Sequence, residues 1–530
     1  MKEEIKQILW VDDEIDQLKS HIIFLKSKGY EVTEASNGED AVALVGKKNF
    51  DLVLLDEMMP GKSGLITLEE IKEKSPHLPV IMVTKSEEEN LMDQAIGQKI
   101  DDYLTKPVNP SQILSAAKKI LETRKIRADR MAQDYAKSSG KIRASLFGAL
   151  TWQEWIDVHR ILCEWDLEID NLGDVDLRQT HQGQRRECNI EFAKYIEGVY
   201  LRWLAKPVLD RSASGGQDSP PLSVDVVKNH LFPPLSQKAR TIFIVMDCMR
   251  LDQWMIIEPV LDQYFHIKRD YYYSILPTAT PYARNAIFSG LFPSELAQKY
   301  PELWKAGTDD DSSRNRYEHQ LLDHQLKKLG VLLKFDTRYV KVLDAAEGEY
   351  LAKRISSYRD TPLLAIVFNF LDILAHGRSQ SEILKEMTPD ESAYRSLTRP
   401  WFLHSSLFKV LQYLSAQDCV VVLTSDHGSV LGTRGTIALG RRDTSTNLRY
   451  KYGDNLNCNP KEALLIKDPQ QYKLPRYNMS TTYIIAKEDY YFVYPTHYSE
   501  YEKEYKNSFQ HGGISLEEMI LPVVTMTPKR

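Results

Sequence analysis

Three apolar runs in the second half of the chain, TIFIVMD, PLLAIVFNFLD and CVVVLTSDHG, each lead into an aspartate: Asp247, Asp372 and Asp426. A short continuous apolar run reads as a strand buried on both faces, as in a parallel sheet covered by helices. In open α/β sheets of this kind ligands bind beyond the carboxyl ends of the strands. Three acids at three such ends are therefore predicted to converge on one site in a large α/β domain.

Histidines accompany the acids. His376 follows Asp372 in LDILAHG, His427 follows Asp426, and His511 lies in FQHGGISLEEMILPVV. Six Asp and His side chains suffice for two metal ions, and mixed carboxylate and imidazole donors favour zinc. Singly, an Asp at a strand end is often a helix N-cap and a lone His is usually a satisfied polar residue. Jointly, several desolvated carboxylates cost too much without compensation, and cations remove that cost.

Between the first two runs stands YYYSILPTATPYARNAIFSGLFP. Thr278 and Thr280 precede the helix-like YARNAIFSG. A hydroxyl there is a candidate nucleophile, and the N–H groups of a helix start favour a phosphate. Arg250, Arg284, Arg441 and Arg442 are candidate phosphate contacts, with Arg284 preferred.

The first 122 residues carry a different pattern. QILWV, EVTEA, DLVLL, PVIMV and DYLT alternate with helical segments, which predicts a doubly wound, parallel five-stranded sheet. Asp12 and Asp13 follow one strand and Asp56 another, a hard oxygen site suited to Mg²⁺. Asp56 is placed to attack a phosphoryl donor. Thr84 would hydrogen-bond the phosphoryl group, and Lys106 would pair with its charge.

From Ser111 the sequence turns helical and charged. Residues 151–208 hold Trp152, Trp155, Trp165 and Trp203 at helical spacing, before the loop-like DRSASGGQDSPPLS. The expected division is 1–122, a helical bundle or connector over 123–209, and the large α/β domain over 210–530. A net charge of -6 argues against a general nucleic-acid coat or a polybasic membrane binder. Five scattered cysteines fit reduced thiols, and acids near the N-terminus replace the apolar core of a signal peptide, so a cytoplasmic protein without membrane insertion is expected.

Asp12, Asp13, Asp56, Thr84 and Lys106, in that order and spacing, resemble a response-regulator receiver. The resemblance implies Asp56 as phosphoacceptor, Thr84 and Tyr103 as switch residues, and Lys106 as the charge partner. It also implies the Met58 backbone carbonyl as the remaining protein ligand of one Mg²⁺. Lys85 departs from the small residue usual after the switch hydroxyl.

Residues 224–530 resemble the PglZ-type branch of the alkaline phosphatase superfamily through LPTATPYARNAIFSG, TSDHG and HGGISLEEMILPVV. That resemblance implies one zinc on Asp247, Asp426, His427 and the nucleophile, and a second on Asp372, His376 and His511. It implies Thr280 rather than Thr278 as nucleophile, with a covalent phosphothreonine. An Asn found in related phosphodiesterases is Ala283 here, which leaves Arg284 and Asn285 as substrate contacts.

The whole arrangement resembles the PorX-type response regulators, two-component proteins of Bacteroidetes type IX secretion and gliding. This implies a di-zinc phosphodiesterase acting on oligonucleotides, a sensor histidine kinase, a sigma factor, a secretion-motor protein, and a homodimer formed on phosphorylation. The alternative is a non-catalytic regulator with structural zinc that works by binding its partners. Thr280 separates the two, because a structural zinc site needs no hydroxyl. No helix-turn-helix pattern supports a DNA-binding regulator.

Overall fold

The computed structural model describes residues 5–75, 77–85, 100–206, 219–304, 315–331, 333, 336–440, 447–495 and 498–529. They pack as two compact units, Met1–Gly140 with Glu168–Leu177, and Lys141–Leu167 with Arg178–Arg530.

In the first unit β1 (Lys6–Val11), β2 (Tyr30–Ala35), β3 (Leu52–Leu55), β4 (Val80–Thr84) and β5 (Asp102–Thr105) form a parallel sheet ordered β2-β1-β3-β4-β5. Alternate residues feed two cores: Trp10, Leu54 and Ile81 on one face, Leu9, Val53 and Met82 on the other. Burial on both sides is why these strands read as unbroken apolar runs. Helices α1 (Lys19–Ser27), α2 (Gly38–Val45) and α3 (Gly64–Lys74) connect them, and Asn37 and Ser63 cap the last two. The helix expected between β4 and β5 falls on 86–99, outside the described residues. The charged stretch that follows is one helix, α4 (Pro110–Leu146), of 37 residues and about 55 Å.

The second unit is built on β6 (Thr241–Met246), β7 (Phe265–Tyr273), β8 (Arg338–Val342), β9 (Leu363–Phe368), β10 (Val420–Ser425) and β11 (Ile520–Pro528), ordered β7-β11-β10-β6-β9-β8. The strands β10, β6, β9 and β8 are parallel, whereas β11 runs antiparallel to both β10 and β7. The sheet is thus mixed, where the sequence suggests a parallel one. Register sets Met246 opposite both Phe368 and Ser425, so the three central strands end level.

Two further helices, α5 (Trp152–Leu172) and α6 (Val175–Ala205), supply the tryptophans. Trp155, Phe192 and Trp203 share one core with the sheet. Trp203 packs edge-on to Tyr273 at 5.1 Å between ring centroids, and the Tyr273 hydroxyl donates to the Trp152 carbonyl at 2.8 Å. Trp165 is only half-buried. The loop-like boundary segment lies mostly on 207–218, outside the described residues.

All five cysteines are unpaired and buried. Among the described residues no helix is long and apolar enough to cross a membrane.

Because the linker tryptophans and the sheet bury one another, Trp203→Ala is expected to destabilise the whole second unit by about 3–5 kcal/mol. Thermal unfolding should show one transition moved down as a unit. A separate helical transition that moves alone would contradict a shared core.

Candidate functional site

Level strand ends bring the acids together, by two routes. Asp247 and Asp426 directly follow β6 and β10 and are fully buried. Asp372 is not at its strand end. It lies in the first turn of α8 (Phe370–Gln380), and His376 stands one turn later on the same face.

Two clusters result. Asp247, Asp426 and His427 offer ligand atoms within 4.8 Å of one another, and so do Asp372, His376 and His511. In the second, His376 Nε2 lies 3.0 Å from His511 Nε2, and the Asp372 carboxylate lies 3.3 and 3.5 Å from them. In the first, His427 Nε2 is 3.6 Å from Asp247 and 3.7 Å from Asp426. Zinc bonds of about 2.0–2.2 Å set tetrahedral ligand atoms about 3.3–3.6 Å apart. The donor spacing therefore fits one ion in each cluster. Asp426 Oδ2 and Asp372 Oδ1 are buried without a hydrogen-bond donor, as carboxylate oxygens reserved for a cation would be.

His427 Nδ1 sits 3.1 Å from the Gly428 carbonyl, which makes Nδ1 the N–H and turns the Nε2 lone pair into the site. Its ring stacks on that of His511 at 4.2 Å, so the clusters share a wall. Burial, with Asp426 and Asp372 close by, raises the Asp247 carboxyl to about 7 despite the opposing pull of Arg284.

Thr280 opens α7 (Thr280–Ser289), whose N-cap is Ala279. Its hydroxyl lies 2.9 Å from His427 Nε2 and 3.4 Å from Asp247 Oδ1. Thr278 is buried instead and donates to the Gly513 carbonyl at 2.7 Å. The amide cradle expected at this helix start is mostly spent. Pro281 has no N–H, and those of Tyr282 and Ala283 both donate to the Ala279 carbonyl.

Arg284 and Asn285, the expected substrate contacts, are both buried. Arg284 donates to Asp247 at 2.8 Å and to Glu318 at 2.7 Å, so it offsets the charge of a cluster carboxylate, and it also lines the cleft. Asn285 is 1% exposed and donates back to the Pro281 carbonyl. Arg250 is likewise buried, on Asp252 and Glu391. Arg441 and Arg442 lie outside the described residues. The cleft over both clusters has a volume of about 610 Å³, and its wall adds Asn315, Lys341, Asn369 and Asn447. No local pattern singles these out in the sequence, because β8 and the loops that carry them approach only in the folded sheet.

In the first unit Asp12, Asp13 and Asp56 also gather within 4.8 Å. Lys106 Nζ bridges Asp12 and Asp56 at 2.7 Å each, while Asp56 Oδ1 is buried and unpartnered. This oxygen-only set fits Mg²⁺. Burial raises the Asp56 carboxyl, against the pull of Lys106. Thr84 ends β4, and Tyr103 lies on β5 beside it. The Met58 side chain is exposed, two residues past Asp56. Lys85 pairs with Glu14 at 3.1 Å, beside the acidic pair rather than on Asp56.

Comparison with known proteins agrees with this layout. Residues 8–118 match the response regulator receiver domain, residues 125–204 the PorX response regulator linker domain, and residues 226–526 the BREX system PglZ alkaline phosphatase-like domain. The transcriptional regulatory protein ResD of Bacillus subtilis is 37% identical over 115 residues, 22% of this chain and 48% of that protein. The phosphate regulon regulator PhoB of Pseudomonas aeruginosa is 37% identical over 118 residues, 22% of this chain and 52% of that protein. The chain thus spans about half the length of these relatives. Among solved structures, a CheY-like receiver from Methanospirillum hungatei is 31% identical, with a TM-score of 0.23, covering 23% of this chain and 99% of that one. With more than half of its length in the PglZ match, behind a receiver and a PorX-type linker, the chain belongs to the PglZ alkaline phosphatase-like family, as a response regulator.

Proposed function

We propose that phosphorylation of Asp56 controls a zinc-dependent phosphodiesterase that uses Thr280 as nucleophile and acts on oligonucleotides, cyclic or linear. The observation that carries this reading is the Thr280 hydroxyl. It lies 2.9 Å from His427 and faces an open cleft whose other wall is the second cluster. A purely structural zinc site would close its coordination with protein and leave no such hydroxyl.

In this reading Asp247, Asp426, His427 and Thr280 hold one zinc, and Asp372, His376 and His511 hold the other. When bound, the two ions polarise the phosphoryl oxygens and lower the pKa of the attacking hydroxyl. Thr280 Oγ attacks phosphorus in line, and its bond to phosphorus forms as the bond to the departing alcohol breaks. The hydroxyl proton passes to solvent, and the leaving oxygen takes one from water. A second in-line attack, by water on the phosphothreonine, restores the hydroxyl and releases the monoester. Arg284 pulls the Asp247 carboxyl towards its charged form and holds it in place. Lys341, in the cleft wall, supports a substrate with a neighbouring phosphate.

The receiver implies a sensor histidine kinase that supplies the phosphoryl group. We further propose Mg²⁺ on Asp12, Asp13, Asp56 and the Met58 carbonyl, and dimerisation on phosphorylation. The downstream partners in this reading are a sigma factor and a secretion-motor protein, in type IX secretion and gliding.

Hydrolysis of a bis-aryl phosphodiester is expected with zinc supplied, to vanish on chelation, and to fall about 10³-fold or more in Thr280→Val. A Thr280→Val protein that binds zinc and cleaves the diester at the wild-type rate would sink the nucleophile assignment. With beryllofluoride and Mg²⁺ the mass in solution should double for wild type and stay monomeric for Asp56→Asn. An unchanged wild-type mass across a wide concentration range would remove dimerisation from the account.

A further inference from the structure

His511 belongs to a segment with two neighbours. On its inner side the Thr278 hydroxyl holds the Gly513 carbonyl, and the Glu518 carboxylate accepts from the Gly513 N–H at 2.8 Å. Arg449 fixes Glu518 in turn, at 2.6 Å, with both side chains fully buried. The same segment supports the other cluster. A Cβ on Gly428 would lie 2.0 Å from the Glu517 carbonyl, so the Asp426–His427–Gly428 turn rests directly on this backbone.

On its outer side the segment is held by linker helix α6. Arg185 Nη1 donates to Glu517 at 2.6 Å, and Asn189 Nδ2 donates to the same carboxylate at 3.1 Å. The Asn189 side-chain Oδ1 accepts from the Leu516 N–H at 2.8 Å. All three side chains are more than nine-tenths buried. Arg185 also pairs with Asp166 of α5. Arg395 reaches Asp166 at 3.6 Å and Asp252 at 3.5 Å, and Asp252 pairs with Arg250, three residues past Asp247. Burial works against the Glu517 charge, but Arg185 more than offsets it and holds the carboxyl at about 2.

The geometry points to Arg185, Asn189 and Glu517 as positioning residues through which linker helix α6 sets the spacing of both metal clusters. Helix α6 grips Leu516 and Glu517. That grip fixes the segment that delivers His511 and the floor beneath His427. The centre is complete only with the linker seated. This rests on the reading that the two clusters bind metal ions.

The test is zinc competition against a chromophoric chelator, on the full chain, for wild type, Glu517→Gln and Asn189→Ala, with circular dichroism to confirm folding. Wild type should bind two zinc ions. The variants should keep their fold and lose 10–100-fold in zinc affinity, the range typical of groups that orient metal ligands. Folded variants within twofold of wild type would overturn the positioning role while leaving the metal reading intact. A wild type that binds no zinc would overturn both.

Should the variants fail to fold, hydrogen exchange of wild type with and without zinc decides the matter, since coupling between sites is reciprocal. Zinc should raise protection around residues 185–189 as well as 511–518. Protection confined to the clusters, with α6 unchanged, would overturn the proposal.

Discussion

Asp247 and Asp426 are buried from water with Asp372 close by at the cleft, and that repulsion is the constraint around which the second unit is organised. Like charges in a desolvated site oppose one another strongly. Arg284 answers part of the load by joining Asp247 to Glu318, and three histidines leave lone pairs converging where cations would answer the rest. The sheet has to meet this demand geometrically. Level ends on β10, β6 and β9 deliver two of the acids directly. The third arrives on a helix, which lets one turn supply Asp372 and His376 together.

Support for the site grows outward in layers of increasing sequence separation. Gly428 stacks on Glu517 at a sequence separation of 89, and Arg185 reaches Glu517 at a separation of 332. Each layer restrains the one inside it. The linker helices are therefore part of the framework of the second unit, with Trp155 and Trp203 in the same core as β7.

This layering also explains what the chain discloses before folding. The strands announce themselves because burial on both faces demands continuous apolar runs, and the ligands follow at the ends of those runs. Asp12, Asp13, Asp56, Thr84 and Lys106 are readable for the same reason, each a strand-end or loop residue at fixed offset from an apolar run. Arg284 was harder. Its charge beside Thr280 suggests a phosphate, and nothing local reveals that Glu318 and Asp247 claim it. Asn315, Lys341 and Asn369 enter the cleft through tertiary approach alone, and Asn189 looks like any polar residue on a long helix until Leu516 is placed against it.

The position of β11 carries a consequence for biogenesis. It is the latest strand of its sheet to leave the ribosome, yet it is an interior one, inserted between β7 and β10. Until it is made, the nascent sheet has two unpaired strand edges facing a gap, the kind of surface that templates aggregation. His511 lies just ahead of it in the chain, so the second cluster and the closure of the sheet mature within the same short interval of translation. A ribosome that stalled before residue 511 would leave a product whose first cluster had all its side chains but whose sheet was open, a natural substrate for chaperones.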